Sequence, residues 1–389
     1  MRYEMDDRID RNRKRSRRTT RIWVTLGCGL VVALVVAITA CICIYVGEKI
    51  EGDVKDATEV MGIIGGADGP TSIIIGETVG GQDKPVIEDE MVPVAQMDLK
   101  IAEAKTQVRE ETIKAVQDHL RGRIQEGDSL VQAIRSLYPD ELVVYSAGDY
   151  HFVPINHELK KNSLKQENVQ VLESGEFQYV EDGQVTSYKG IDVSQHQGKI
   201  DWKKVAQDGV QYAIIRVGYR GYGEEGKLVE DTQYKKNIEG ALAAGIRVGA
   251  YFYSQATSEA EAKEEAEFVL ERIKKYKITC PVVVDSELVD GAEGRMDSIS
   301  AQERAQYAAV FCDRVEQAGY KSMIYHNLEV GVVKMEPPML EKYDRWFASY
   351  SETLYYPYEY KMWQYTDKGK VSGIKGNVDL NISFEPIWE

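Results

Sequence analysis

The second half of the chain repeats one pattern, in which a short apolar run is followed by a stretch of helical periodicity. Between residues 189 and 389 the runs are GIDVS, YAIIRVGY, RVGAYFYS, PVVVDSE, KSMIYHN, RWFASY, KMWQYT and GNVDLN. Helical stretches near 231–244, 258–276 and 300–318 separate the earlier runs. Strands that alternate with helices form parallel sheets covered on both faces. We therefore predict an α/β fold, a TIM-like (β/α) barrel that is irregular in its last third, where the gaps are too short for helices.

Four acidic residues lie on three of these runs. Asp192 is near the end of the first run, Asp285 and Glu287 end the fourth, and Asp379 lies in the last. The C-terminal ends of parallel barrel strands form one mouth, and residues two apart on a strand share a face. If Asp285 and Glu287 faced the helices, they would be buried without partners, which is costly. We expect the four carboxyl groups to meet at the mouth, where their mutual repulsion raises at least one pKa.

Cleavage of a glycosidic bond requires a carboxylic acid with a raised pKa beside an ionised carboxylate. Aromatic residues cluster near the same strand ends, and sugar rings stack on aromatic side chains. For any single aromatic, packing inside the barrel is an equally good explanation. The predicted sugar contacts are Tyr219, Tyr251, Tyr253, Tyr325, Trp346, Tyr350, Trp363 and Gln364.

Seven motifs, from GIDVSQHQGKIDW through PVVVDSE to VSGIKGNVDLN, resemble in order and spacing the glycoside hydrolase family 25 lysozymes, over residues 189–389. The resemblance implies a muramidase that hydrolyses the β-1,4 bond between N-acetylmuramic acid and N-acetylglucosamine in peptidoglycan. It implies Glu287 as the proton donor, with Asp285, Asp192 and Asp379 as the other catalytic acids. We prefer a substrate-assisted route, in which the N-acetyl group attacks while Asp285 holds it, over direct attack by a carboxylate. Phe252 departs from the family, because many members have His there.

Two other functions stay open at this point: a non-catalytic scaffold that binds cell-wall glycans, and a chitinase-like hydrolase of N-acetylglucosamine polymers. The four intact acids weigh against the first, and the GIDVSQHQG and VDLN motifs weigh against the second. A divalent cation among the carboxylates is a further alternative. No spacing supports a zinc site, and we assign His196 a structural hydrogen bond. We predict no metal or cofactor, and the net charge of −15 argues against a nucleic-acid partner.

The first part of the chain contains a long uncharged run. Residues 22–46 carry no charge, and a run of this length can span a bilayer. Residues 1–21 have a net charge of +5, so the positive-inside rule places them in the cytoplasm and the remainder outside. The sequence ITAC, ending at Cys41, resembles a lipoprotein processing box, but the residues that follow are too apolar for that alternative. We expect a single-pass protein of a bacterial cell membrane with an extracellular C-terminal domain.

Two regions connect this span to the barrel. Residues 47–96 are predicted to be a linker, and within it MGIIGGADGPTSIIIGE, residues 61–77, resembles a short segment of the membrane subunit of sodium-pumping decarboxylases. We interpret that segment as a Gly- and Pro-containing turn or hairpin. Residues 97–188 are predicted to be a small α+β spacer, with a helix to about Leu137 that packs on a small domain or pairs with a second copy. We expect a shortened chain that begins near Tyr188 to fold alone, and Cys280 and Cys312 to be buried and unpaired.

Overall fold

A computed structural model describes residues 63–66, 69–73, 94–289 and 291–388. The chain divides into two compact units between Ile134 and Arg135, and each is described separately. The predicted tail 1–21, the predicted span 22–46 and most of the predicted linker lie outside the described residues. Among the helices of the described part, none has both the length and the apolar character needed to cross a membrane.

The first unit contains a strand pair and a long helix. Strands β1 (Ile63–Gly66) and β2 (Gly69–Ile73) pair antiparallel, as the hairpin interpretation of this segment requires. Helix α1 (Val94–Gln125) is followed by α2 (Leu130–Arg135). The two helices are separated at Gly127, which has a φ of 107°, a conformation that favours glycine. Self-association through α1 stays a prediction.

The second unit opens with residues 135–187, called the appended segment below. It contains the hairpin β3 (Glu141–Ser146) and β4 (Asp149–Pro154), then a small sheet of β5 (Val169–Val171), β6 (Phe177–Glu181) and β7 (Gln184–Val185). An Asp182-Gly183 turn joins β6 to β7, and both residues have positive φ, as a type I′ turn requires.

The rest of this unit is a mixed α/β barrel of eight strands. The sheet closes because β8 pairs with both β9 and β16. In order around the barrel the strands are β8 (Tyr188–Val193), β9 (Tyr212–Arg220), β11 (Arg247–Tyr253), β12 (Val282–Asp285), β13 (Ser322–Asn327), β14 (Asp344–Ala348), β15 (Met362–Gly369) and β16 (Val378–Ser383). A short strand, β10 (Leu228–Glu230), pairs with β9 outside the ring.

One strand runs in the opposite direction to the prediction. The seven ring strands that precede it are parallel, but β16 pairs antiparallel with both β15 and β8. The chain reaches β16 through a connection of a few residues, which is too short for the crossover that a parallel neighbour needs. The expectation of an entirely parallel barrel is therefore wrong for this strand.

Helices cover only the first part of the barrel. They are α3 (Trp202–Gln207), α4 (Tyr234–Ala243), α5 (Glu259–Ile273) and α6 (Ala301–Gln317), and the last three lie where helices were predicted. Both α5 and α6 begin with a serine side chain that accepts from a backbone N–H of the first turn, at Ser258 and Ser300. After β13 the connections contain a π-helical turn (Val330–Lys334) and a 3₁₀ turn (Pro337–Leu340), which confirms the irregular last third.

The appended segment packs on the barrel face that has no helices. Phe177 stacks on Tyr365 with ring centroids 4.4 Å apart, and it meets Trp363 edge-on at 5.3 Å. Tyr179 contacts Phe384 at 5.2 Å. Such aromatic pairs stabilise a fold by about 0.5–1.5 kcal/mol each beyond the area they bury. The segment and the barrel share one core, so the predicted boundary at residue 188 does not coincide with a gap in the packing.

Candidate active site

Two of the predicted acids lie on neighbouring strands. Asp192 is the penultimate residue of β8, and Asp379 is the second residue of β16. They are opposite each other in the antiparallel register. Because β16 runs backwards, its first residues lie beside the last residues of β8. Asp379 therefore reaches the mouth from the beginning of its strand, not from the end.

The other two acids follow β12. Asp285 is the last residue of this strand, 6% exposed, and is paired with Tyr253 of β11 and Tyr325 of β13. Glu287 lies just beyond the strand and is less buried. Its charge contributes to raising the pKa of Asp285, Tyr253 and Tyr325, which places it in the same neighbourhood.

The electrostatics of the cluster are those expected of crowded acids. Burial raises the pKa of Asp192 to about 6, although hydrogen bonds from Asn381 and Gln364 oppose the rise. Burial, followed by the charge of Asp192, raises the pKa of Asp379 to about 8. Burial also raises the pKa of Asp285 well above its usual value, with Glu287 and Asp192 adding to the effect. At neutral pH the mouth therefore holds both protonated and ionised carboxyl groups.

A hydrogen-bond network fixes one oxygen of Asp192. Its Oδ2 accepts from Gln364 Nε2 at 2.9 Å and from Asn381 Nδ2 at 2.8 Å. Gln364 Oε1 in turn accepts from the hydroxyl groups of Tyr325 and Tyr350, each at 2.9 Å. Gln364 was predicted to touch sugar, but in this arrangement its amide binds protein groups on both sides.

Two polar residues of the site were missed by the sequence analysis. Asn381 is fully buried and also accepts from Trp346 Nε1 at 2.8 Å. Arg216 donates from Nε to Asp231 Oδ2 at 2.9 Å, and its positive charge opposes the rise in the pKa of Asp285. Both could have been found by strand alternation, since Asn381 lies two residues after Asp379 and Arg216 interrupts an apolar run.

The predicted aromatic contacts fall into three groups. Tyr325 and Trp346 are buried inside the barrel, where their rings meet edge-on at 4.7 Å. Tyr219, Tyr251 and Tyr253 are half-buried residues of β9 and β11. Tyr350 is 57% exposed, which leaves its ring accessible to a sugar. The buried pair supports the polar network and offers no open ring face.

Trp363 does not line the mouth, contrary to the prediction. Its neighbour Gln364 points into the barrel, so Trp363 points outwards by strand alternation. Its indole Nε1 donates to the Ser349 carbonyl at 2.9 Å, and its ring packs on Phe177. The residue is 1% exposed and belongs to the core beneath the appended segment.

The remaining sequence candidates take no part in this cluster. Within the described residues, no group of three or more His, Cys, Asp or Glu side chains is arranged to hold a metal ion. His196 is exposed, and its backbone N–H donates to Ser194 Oγ at 3.2 Å. Cys280 and Cys312 are free and buried.

Comparison with known proteins finds relatives of the barrel. Residues 191–374 match the family model described as glycosyl hydrolases family 25. The autolytic lysozyme of Clostridium acetobutylicum is 28% identical over 194 residues, which are 50% of this chain and 55% of that protein. Lysozyme M1 of Streptomyces globisporus is 25% identical over 207 residues, 50% of this chain and 66% of that protein. The chain thus spans little more than half the length of the first of these relatives.

One similar solved structure carries the same family description. A family 25 glycosyl hydrolase from Bacillus anthracis is 25% identical, with a TM-score of 0.44, and the alignment covers 53% of this chain and 92% of that one. The family model covers most of the barrel with Asp192, Asp285 and Glu287, and it ends before Asp379. The barrel domain is thus similar to glycosyl hydrolases family 25, over a little less than half of the chain.

Proposed function

We propose that the chain is a peptidoglycan muramidase, which hydrolyses the β-1,4 bond between N-acetylmuramic acid and N-acetylglucosamine. The observation that carries this proposal is the gathering of Asp192, Asp285, Glu287 and Asp379 at one barrel mouth, where burial raises the pKa of the three aspartates. The family match and relatives named as lysozymes support the same reaction.

The geometry supports a substrate-assisted route. Asp285 Oδ1 is buried and has no hydrogen-bond partner among the described residues. An acetamido N–H of the substrate would supply that partner, and with the charge of Arg216 it would favour the ionised form of Asp285. Asp285 would then orient the acetamido group so that its carbonyl oxygen faces the reacting sugar carbon.

The proton and bond changes follow from this placement. Glu287 gives its proton to the glycosidic oxygen as the bond from that oxygen to the sugar carbon breaks. The acetamido oxygen bonds to the same carbon and forms a cyclic intermediate. Water then opens the ring, and the Glu287 carboxylate takes the proton of that water, which restores the acid. Direct attack by a carboxylate is the alternative route.

We also propose that residues 22–46 tether the enzyme to the cell membrane with the barrel outside. The support is the uncharged run and the basic residues before it. A reporter fused after residue 389 should be active only outside the cytoplasm. If the C-terminal domain of wall-stripped cells resists added protease, this orientation is wrong.

The activity is tested with the full-length chain in detergent and purified peptidoglycan as the substrate. Mass analysis of the fragments should find new reducing ends on N-acetylmuramic acid. New reducing ends on N-acetylglucosamine would assign the cleavage to the other bond. Binding without cleavage would favour a glycan-binding scaffold, and cleavage of chitin oligomers in preference to peptidoglycan would favour a chitinase-like enzyme. Glu287→Gln serves as the matched inactive control.

A further inference from the structure

The loop between β14 and β15, residues 349–361, borders the mouth and is called the mouth loop. It carries Tyr350, whose hydroxyl donates to Gln364 Oε1 at 2.9 Å. Gln364 donates to Asp192, so Tyr350 connects the loop to the carboxyl cluster. The Tyr350 side chain is 57% exposed, which makes the position of its ring dependent on the loop backbone.

The appended segment holds the first half of this loop through one side chain. Gln166 Nε2 donates to the Glu352 carbonyl at 2.8 Å, and Gln166 Oε1 accepts from the Leu354 N–H at 2.8 Å. A single amide thus satisfies backbone groups on both sides of Thr353. This part of the loop is at best half-buried, so it has little packing of its own to fix its conformation.

The second half of the loop is held by residues 160–162. Asn162 donates from its backbone N–H to the Pro357 carbonyl at 2.9 Å and from Nδ2 to the Tyr356 carbonyl at 2.8 Å. Glu359 donates from its N–H to the Lys160 carbonyl at 3.0 Å. The appended segment therefore fixes both halves of the loop by backbone hydrogen bonds, although it lies outside the family match, which begins at residue 191.

A third contact holds Tyr355, which lies between the part of the mouth loop held by Gln166 and the part held by residues 160–162. Tyr355 OH accepts from the Val143 N–H at 2.7 Å, and the Arg135 guanidinium lies over the Tyr355 ring at 3.8 Å from its centroid. The hairpin that contains Val143 is also tied to the mouth side of the barrel, since Ser146 Oγ bonds to Glu329 at 2.6 Å. The loop is thus supported along its length by residues that precede the barrel.

We propose that the appended segment positions the active site, and that Gln166 is a positioning residue that keeps Tyr350 at the mouth through the loop backbone. This inference rests on the proposed muramidase function for its kinetic test. A loop freed at Glu352 and Leu354 samples more conformations, so the ring that meets the glycan is in place for a smaller fraction of the time. The consequence falls mainly on substrate binding, because Tyr325 still holds Gln364.

The test compares Gln166→Ala with Gln184→Ala in the full-length chain, with purified peptidoglycan strands as the substrate. Gln184 is the matched control because it is an exposed glutamine of β7, in the same segment, and β7 pairs with β6. We expect Gln166→Ala to lower kcat/KM about three- to tenfold, chiefly through KM, since two hydrogen bonds are lost. Gln184→Ala should match the wild type, and the melting temperatures of all three should be close.

A second variant shows whether the effect passes through Tyr350. In a Tyr350→Ala background, where the ring is absent, Gln166→Ala should cause less than about a twofold further loss, because coupled sites are not additive. Losses that simply multiply would overturn the proposal, as would equal kinetics for Gln166→Ala and Gln184→Ala.

Hydrogen exchange gives a readout that does not need activity. Amides of residues 350–356 should exchange faster in Gln166→Ala than in the wild type or in Gln184→Ala. Unchanged exchange would overturn the positioning role even if the wild type is active. If exchange is faster in Gln166→Ala but the wild-type chain cleaves no peptidoglycan, the proposed function is refuted. The hydrogen bonds of Gln166 would still be shown to hold the loop.

Discussion

Asp192 and Asp379 face each other across the antiparallel pairing of β8 and β16, and the charge of Asp192 raises the pKa of Asp379. The two acids also differ in their partners. Asp192 Oδ2 accepts two side-chain amide hydrogen bonds, which favour its ionised form. Asp379, with the higher pKa of about 8, is protonated at neutral pH while Asp192, at about 6, is ionised. At neutral pH the pair therefore carries one negative charge, on Asp192, and one carboxyl proton, on Asp379.

This division has a consequence for stability. Both carboxyl groups have a folded-state pKa above the ordinary value, so the folded state binds more protons than the unfolded state, and stability falls as the pH rises through 4 to 8. Asp379→Asn removes one of these penalties. Its melting temperature should equal that of the wild type near pH 4 and exceed it at pH 8. A gain of about 1–2 kcal/mol corresponds to about 2–8 °C for a domain of this size.

Thermal unfolding at several pH values measures this difference. Glu173→Gln, at an exposed acid of the appended segment, is the control, and its melting temperature should follow that of the wild type. A difference between Asp379→Asn and the wild type that stays constant from pH 4 to pH 9 would contradict the assignment of a raised pKa.

The second prediction concerns the proton donor. Glu287→Gln preserves shape but removes the transferable proton, so kcat should fall by about 10²–10⁴-fold while glycan binding is retained. Asp285→Asn should also lower kcat, because a neutral amide oxygen accepts the acetamido N–H more weakly than a carboxylate does. Circular dichroism must show that both variants are folded. Digestion of peptidoglycan by folded Glu287→Gln at the wild-type rate would show that another group is the acid.

The sequence was sufficient to predict the barrel and the meeting of its acids, because strand length, alternation and the position of the strand ends are local properties. It was not sufficient to predict the direction of β16, since a short connection after β15 carries no helical signal of its own. Nor could it choose between the two faces of β15, because the bulges that set its register depend on its partner strand. The sequence therefore predicts Trp363 at the mouth, whereas the residue lies outside it.

The packing of the appended segment on the barrel is the feature that the sequence predicts least well. Phe177 and Gln166 meet residues almost 190 positions further along the chain. No periodicity within either region indicates such a pairing. The sequence does predict, however, that helices are absent after β13. Their absence leaves an apolar surface that some other part of the chain must cover.

The third prediction follows from that cover, and it replaces the expectation that a chain beginning near Tyr188 folds alone. Removing residues 1–187 would expose the outer faces of Trp363 and Tyr365, which Phe177 now covers. The shortened chain should aggregate or melt well below a chain that begins near residue 130. Size-exclusion chromatography and thermal unfolding distinguish the two. Equal melting temperatures for the two chains would show that the barrel needs no such cover.

The last prediction concerns Asn381, which lies on β16 two residues after Asp379 and holds Asp192 of the neighbouring strand β8. Its Nδ2 donates to Asp192 Oδ2 at 2.8 Å, and this bond favours the ionised carboxylate. Asn381→Ala removes it, so the pKa of Asp192 should rise above its present value of about 6. If the ionised form of Asp192 is the active one, the acidic limb of the pH–rate profile moves to higher pH, by about one pH unit.

The substitution also leaves Trp346 Nε1 without its acceptor, which lowers stability. Asn237→Ala controls for that loss, because Asn237 is equally buried but lies on α4, outside the barrel. Both variants should be less stable than the wild type, yet only Asn381→Ala should shift the acidic limb. A shift of the same size in both would trace the effect to general loosening of the fold, and no shift in either would mean that ionisation of Asp192 does not limit the reaction.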